Sequence, residues 1–398
     1  MKKILFVAAT VALMAAGCTK TEVINPVGNK MGFATGMGKL TKAAGTADAD
    51  NDGDVNLQAQ DFRVWAYADY EDNNTTAIEL DQIYDGMANM NVYYTAPAEN
   101  APAGTLGTWS PIKEYYWPGV DKNLRFFAVS GLDLGDDLSR TEKVAIAINR
   151  TAGTDAEGNS TTVVAPTLTV KDFIVNHEEP NADLMVADFL RQNQSDKIVD
   201  LAFRHALTKV EFLFKTLEEA DDVVFVQSLS VAGVKTKSTL TVSENKDQST
   251  MTTRPMNFVW ATPDETQVFT DDYDKTDGTF PTSVEAVNAS GTLTGENLDT
   301  TVMKLTTDAT NFCTWLAMPQ DITGLKVVVT YVVGERQFIS EFDLKVGDFS
   351  SWNVNQYVRY TVTLCPGKIS FDANVDTWKQ YDADGDEENN DQDIEYQN

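Results

Sequence analysis

Apolar and polar residues that alternate with a period of two, in short runs punctuated by turn-forming dipeptides, restrict this chain's fold more than any other feature. In TKVEFLFK, Val210, Phe212 and Phe214 alternate with Lys209, Glu211 and Lys215. Successive side chains of a strand point to opposite faces, so this segment reads as a strand buried on one side. VFVQSLSV (residues 224–231) follows the same logic. In DFRVWAYADY, Phe62, Val64 and Ala66 face one way and Arg63, Trp65 and Tyr67 the other. LRFFAVS (residues 124–130) is a short apolar run that follows the turn signal Trp117-Pro118-Gly119. KVVVTYVV, Gly334-Glu335 and RQFISEFDL read as a hairpin whose glycine opens a type II′ turn. Tyr357 to Leu364 forms a second hairpin with Ile369 and Phe371 across a type II turn at Pro366-Gly367. Asn181 to Arg191 is the best candidate for a short helix. Many strands with closely spaced turns predict an all-β chain built of sandwiches.

At 398 residues, 42% of them hydrophobic, the chain is long enough for two cores, and a boundary near residue 200 divides it into sandwiches at 61–198 and 199–378. Residues 18–60, rich in Gly, Thr, Ala and Asp, suit a tether, with a first strand hidden around Met31 to Thr35. Residues 379–398 form an acidic tail, with Asp or Glu at 8 of the 17 positions from Asp382 to Asn398. Such a segment has too little apolar surface to offset chain entropy and is expected to be disordered.

The N-terminus carries its own signal. Lys2 and Lys3 precede an apolar run from Ile4 to Met14, and Ala15-Ala16-Gly17 leads directly into Cys18. This is the pattern of a bacterial lipoprotein signal peptide spanning residues 1–17. Small residues let a peptidase close around the backbone, and the Cys18 thiol then carries a thioether-linked diacylglycerol, with palmitate an expected acyl group of the lipid. The apolar run is shorter than the roughly 20 residues a membrane span needs.

The formal net charge is −29, and cleavage at Cys18 removes Lys2 and Lys3, making it more negative. Such a surface repels phosphate backbones and anionic headgroups, so nucleic acid is excluded as a partner and membrane attachment falls to the lipid. Cys313 and Cys365 remain. In an oxidising compartment they either pair or serve as small buried hydrophobes.

Catalytic patterns are poorly represented. The two histidines, His177 and His205, have no partner at metal or triad spacing, and HExxH, GxSxG, CxxC and phosphate-cradling glycine loops are absent from the sequence. A glycosidase-type carboxylate pair cannot be nominated among 60 acidic residues. The reading is therefore of a chain that is not an enzyme and needs no cofactor beyond its covalent lipid. Asp48, Asp50, Asp52, Gly53, Asp54 and Asn56 resemble the opening of a calcium loop, but Ala59 stands where the bidentate glutamate belongs, and an acidic linker is the favoured reading. Tyr93, Tyr94, Trp109 and Tyr115-Tyr116-Trp117 have ring faces that would stack on sugars. They serve equally well as core, which is favoured, and no glycan-binding residue is assigned.

Three stretches, EYYWPGVDKNLRFFAVS (residues 114–130), ADLMVAD with VDLAFRHALTKVEFLFK (residues 182–188 and 199–215) and WNVNQYVRYTVTLCPGKISFDANVDTW (residues 352–378), stand in this order behind the lipoprotein signal. Together they resemble the fimbrillin family, the type V pilins of Bacteroidales-type Gram-negative bacteria. The resemblance implies two tandem transthyretin-like β-sandwich domains, exported as a lipoprotein to the outer membrane surface and the fimbrium. It also implies removal of the N-terminal segment with its first strand, strand addition between fimbrillin subunits, and adhesion to host or bacterial surface ligands. Strand addition satisfies an open edge's backbone groups and fills its apolar groove, and head-to-tail repetition makes a filament. Well-studied members are cut after an arginine, whereas the first arginine here, Arg63, lies within a strand, leaving Lys30, Lys39 and Lys42 as alternatives. The tail offers only Ile394 and Tyr396 to a groove. These departures point to an anchor, tip or accessory subunit. The competing reading is a surface glycan-binding lipoprotein presenting Trp109 and Trp117.

Overall fold

The computed structural model describes residues 30–35, 61–69, 82–101, 108–118, 123–132, 143–154, 160–175, 183–193, 198–217, 224–244, 256–272, 305–333, 336–365 and 368–377. The lipid-bearing Cys18, the acidic motif at Asp48, Asp50 and Asp52, and the tail from 379 onward lie outside these residues. Nearly everything described is β-structure. Among the described residues no helix is long and apolar enough to cross a membrane.

Among the described residues the first sheet contains nine strands: β1 (Gly32–Thr35), β2 (Phe62–Asp69), β3 (Met90–Thr95), β4 (Thr108–Pro111), β5 (Asn123–Ser130), β8 (Met185–Ala187), β9 (Leu190–Asn193), β10 (Ile198–Leu201) and β11 (Phe203–His205). Their order is β10-β1-β4-β3-β2-β5-β8-β11, with β9 also paired to β5. The sheet's two end strands, β10 and β11, are separated in the chain by Ala202 alone. The sheet therefore rolls until its ends meet. Its inner face forms a core of Met31, Phe33, Phe62, Val64, Ala66, Trp109, Phe126, Val199, Leu201, Phe203 and their neighbours.

The alternation in β2 resolves into two cores rather than a core and a solvent face. Phe62, Val64 and Ala66 enter the rolled core, while Trp65 joins a second, larger core and Tyr67 packs against it. Asn181 to Arg191, expected to be helical, instead supplies β8 and β9. Leu184 to Ala187 are all buried, so the run is apolar on both faces and its period is hidden.

The second sheet has seven described strands: β6 (Val144–Thr154), β7 (Ser160–Ile174), β13 (Val224–Glu244), β14 (Met256–Trp260), β15 (Asp264–Asp272), β18 (Lys326–Val333) and β19 (Arg336–Asp343). Its spine is β13. Residues 224–231 of β13 pair with β18, while residues 237–243 pair with β7. Strands from both sides of the boundary expected at 198 thus share this sheet, just as β10 and β11 belong to the first.

Four further strands, β12 (Thr208–Lys215), β16 (Thr310–Ala317), β21 (Gln356–Cys365) and β22 (Lys368–Thr377), form a third sheet in the order β16-β12-β21-β22. The short β17 (Gln320–Asp321) pairs with β20 (Ser351–Trp352). Both expected hairpins form, with Val333 opposite Arg336 and Cys365 opposite Lys368. Across the larger core runs a column of stacked rings: Phe212 on Tyr360 at 5.1 Å, Tyr360 on Phe371 at 5.1 Å, and Phe371 on Phe342 at 5.2 Å. The rings join β12, β21, β22 and β19.

Register rules out a Cys313–Cys365 bridge. Cys313 and Tyr360 both lie opposite Phe212, on either side of β12, and Cys365 is five residues beyond Tyr360. Two strand spacings of about 4.8 Å and five rises of about 3.3 Å separate the Cα atoms by close to 20 Å, far beyond the limit of about 7 Å for a disulfide. Cys313 is a buried thiol in the larger core.

Candidate functional site: the slot filled by the first strand

The strand expected around Met31 to Thr35 exists and lies within its sheet rather than at an edge. On one side β1 runs parallel to β10, from Gly32 opposite Ile198 to Thr35 opposite Leu201. On the other it is antiparallel to β4, with Phe33 opposite Trp109. Neither neighbour adjoins β1 in the chain, so no tight turn holds it in place. Met31 and Phe33 point into the rolled core, 1% and 6% exposed, whereas Gly32 and Ala34 on the other face are half-buried. Burying two such side chains contributes on the order of 1.5–3 kcal/mol each.

Aromatic rings line the slot. Trp109 packs on Phe62 at 4.8 Å and on Tyr94 at 5.1 Å, and Phe62 packs on Phe203 at 5.2 Å. Without β1, the facing edges of β10 and β4 would lose their backbone partners and this cluster would lose its cover. Both groups would be left wanting an extended segment.

The N-terminal end of β1 is clamped. The Met31 N–H donates to the Tyr115 carbonyl at 2.9 Å, and Lys30 bridges antiparallel to Tyr116. Lys30 Nζ lies 2.6 Å from Glu114 Oε1, while the Tyr116 hydroxyl donates to Glu114 Oε2 at 2.8 Å. Tyr116 is held in turn through its carbonyl, which accepts from the Tyr84 hydroxyl at 2.6 Å. The hydrogen bond from Lys30, with that from Tyr116 and the lysine's charge, keeps the Glu114 carboxyl below its ordinary range. The same hydrogen bond and charge pair push the Lys30 ammonium up.

The structure separates the residues singled out in the sequence. Arg63 sits in β2 and is only 8% exposed, out of reach of a protease while the strand is folded. Lys30 is exposed beside β1, and Lys39 and Lys42 lie outside the described residues. Trp109 and Trp117 are 8% and 5% exposed, with Trp117 edge-on to Phe126 at 5.9 Å. They are core residues, which removes the aromatic platform on which glycan binding rested. Nothing in the sequence joined Glu114 and Tyr116 to Lys30: Tyr116 stood out only as an aromatic ring, and Glu114 is 84 residues from Lys30.

Several solved structures are similar to the chain at low identity. A fimbrial protein from Bacteroides vulgatus ATCC 8482 is 16% identical over 88% of this chain and 99% of its own, with a TM-score of 0.47. A fimbrial assembly protein from Parabacteroides distasonis ATCC 8503 is 10% identical over 80% and 88%, with a TM-score of 0.33. The tip fimbrial protein Mfa3 from Porphyromonas gingivalis, with C-terminal truncation, is 9% identical over 80% and 94%, with a TM-score of 0.33. No curated protein matches the chain in sequence. With TM-scores this low, assignment rests on the sequence family: the fimbrillin-like model matches residues 41–378, and the chain belongs to the fimbrillin-like family.

Proposed function

We propose that this protein is a non-catalytic fimbrial subunit of the anchor, tip or accessory kind, joined to other subunits by strand addition at the β1 slot and supporting adhesion. The observation that carries this reading is the placement of β1. A strand inside a sheet, closing an apolar core and unconnected by any turn to its neighbours, is one that another strand can replace. The fimbrillin-like family match supports the fimbrial role. Acylation of Cys18 would hold the chain at the outer membrane, because the acidic surface gives the bilayer nothing to attract. Calcium at Asp48, Asp50 and Asp52 forms no part of the proposal.

The test is mass spectrometry of the mature N-terminus in sheared surface filaments and in the membrane fraction. An N-terminus beyond Thr35, in a high-mass ladder that resists dissociation, is the expected mark of strand addition. An acylated Cys18 in the membrane fraction marks the anchor-like form. Deleting residues 19–60 should produce oligomers or an aggregation-prone surface. A deletion variant that stays monomeric and as stable as the intact chain would overturn the reading.

A further inference from the structure

We infer that the slot selects its strand by charge as well as by shape: it takes a segment of a different subunit that carries Lys or Arg immediately before an apolar-x-apolar pair, and it discriminates against residues 393–398 of a second copy of this chain. This rests on the strand-addition reading above.

The slot has three subsites, each defined by what β1 places there. Two are internal, where Met31 and Phe33 enter the rolled core at a spacing of two. They require large apolar side chains on one face of an extended segment running parallel to β10. The third is the mouth, where Glu114 meets the residue directly before the first apolar one. Glu114 is aimed from the protein side, by the Tyr116 hydroxyl and by Tyr84 behind Tyr116. These bonds do not involve β1, so the carboxylate remains in place for whichever strand enters. A second carboxylate, Asp200, lies opposite Ala34 on the outer face and disfavours an acid at that position.

Measured against these subsites, DIEYQN at residues 393–398 matches only in its apolar pair. With Ile394 and Tyr396 at the two internal positions, Asp393 falls where Lys30 stands and meets Glu114 with like charge. Glu395 takes the position of Gly32, adding a further negative charge beside an already acidic chain. Lys30 of the resident strand satisfies the mouth with an ion pair and moves its own proton affinity up in doing so.

The experiment uses the full chain with a site-specific protease sequence inserted between residues 36 and 60. After cutting, β1 is held by non-covalent contacts alone, and a fluorescent peptide of residues 26–37 is allowed to exchange with it, followed by anisotropy. The native peptide is expected to enter. Its Lys30→Glu variant should bind about three- to tenfold more weakly at low salt, a gap that closes at high salt, as an exposed ion pair requires. A peptide of residues 387–398 should compete no better than that variant. Glu114→Gln in the protein should abolish the difference between the native and Lys30→Glu peptides. Equal binding of the two to the unmodified protein, or a 387–398 peptide that competes as well as the native one, overturns the charge selection while leaving strand addition intact. If even the native peptide fails to enter, strand addition at this slot falls, and the selection with it.

Discussion

Phe33 and Tyr360 both fill apolar cores, yet the strands that carry them are secured by different means. Tyr360 lies on β21, which pairs with β12 from Lys209 to Lys215 and with β22 throughout Gln356–Cys365. Its hairpin partner is two residues away in the chain, and its ring stacks on Phe212 and Phe371 while its hydroxyl accepts from Trp352 Nε1 at 3.1 Å. Phe33 lies on a strand of four residues whose parallel neighbour is β10, far along the chain. Closing a contact across so long a loop costs entropy that a two-residue hairpin avoids. The strand carrying Tyr360 thus has a tight hairpin beside its long-range pairing to β12, whereas the strand carrying Phe33 has long-range pairings alone, to β10 and β4, with side-chain burial and a clamp at one end. Strand addition at the slot requires that it open without unfolding the rest, and so that stability be concentrated away from it.

The comparison breaks most easily in the larger core. Phe212 is fully buried between Tyr360 and Trp315, 4.8 Å from the latter, and Phe212→Ala should destabilise the protein globally by about 3–5 kcal/mol, read as a shift of the urea midpoint. A buried polar pair beside β8 and β11 of the first sheet comes next. His205 Nδ1 lies 2.5 Å from Asp183 Oδ2, with the two side chains 8% and 1% exposed. His205→Ala takes a buried hydrogen-bond partner from Asp183 and removes a buried ring, and should cost about 3 kcal/mol. Phe33→Ala should cost less, about 1.5–3 kcal/mol, and the loss should be local. Hydrogen exchange of β10 and β4 should accelerate while that of β12 and β21 keeps its native protection. A Phe33 variant whose β12 and β21 amides open together with β10 would show that both cores form one cooperative unit and remove the contrast.

Much of this was legible in the sequence wherever apolar alternation or turn chemistry acts over a few residues, although the second face of β12, expected to be open, is covered, with Lys209 1% and Glu211 5% exposed. TKVEFLFK, both hairpins and the hidden strand at Met31 are visible because alternation and turn chemistry act over a few residues. Asn181 to Arg191 misleads because Leu184 to Ala187 are buried on both faces, which erases the alternation. The passage of β7 into a sheet with β13 has no local signature, since nothing in STTVVAPTLTV specifies its partner. Aromatic residues report that a surface is apolar without saying whether it faces solvent, so Trp109 and Trp117 supported two readings until their burial was known. The clamp was the least accessible feature, an exposed lysine and a glutamate 84 residues apart that meet only through the rolled sheet.

Proton concentration sharpens the comparison at the small end of the scale. Glu114 titrates below its ordinary value of 4.5 because Lys30 and Tyr116 hydrogen-bond its ionised form. A carboxyl whose folded value is depressed contributes fully above its unfolded value, and the contribution is lost as pH falls through the folded one. Lys30, pushed up from 10.5 by Glu114, contributes fully below that value and loses its contribution only as pH rises through the raised one. Retention of β1 by the clamp should therefore be flat across neutral pH and weaken in acid. Asp188 moves the other way. Desolvation raises its carboxyl despite a bidentate pair with Arg204 at 2.7 and 3.0 Å, so its contribution is full in acid and declines as pH rises through the raised value. Tyr360, raised by burial, is silent in acid altogether. Acidification from pH 7 to pH 4 should thus speed release of a nicked β1 modestly, by an amount that Glu114→Gln removes, while the exchange rates of β12 and β21, corrected for the intrinsic effect of pH, stay unchanged. An acid response that persists in the Glu114→Gln protein would place the pH sensitivity elsewhere in the rolled sheet and leave the clamp with no role in holding the strand.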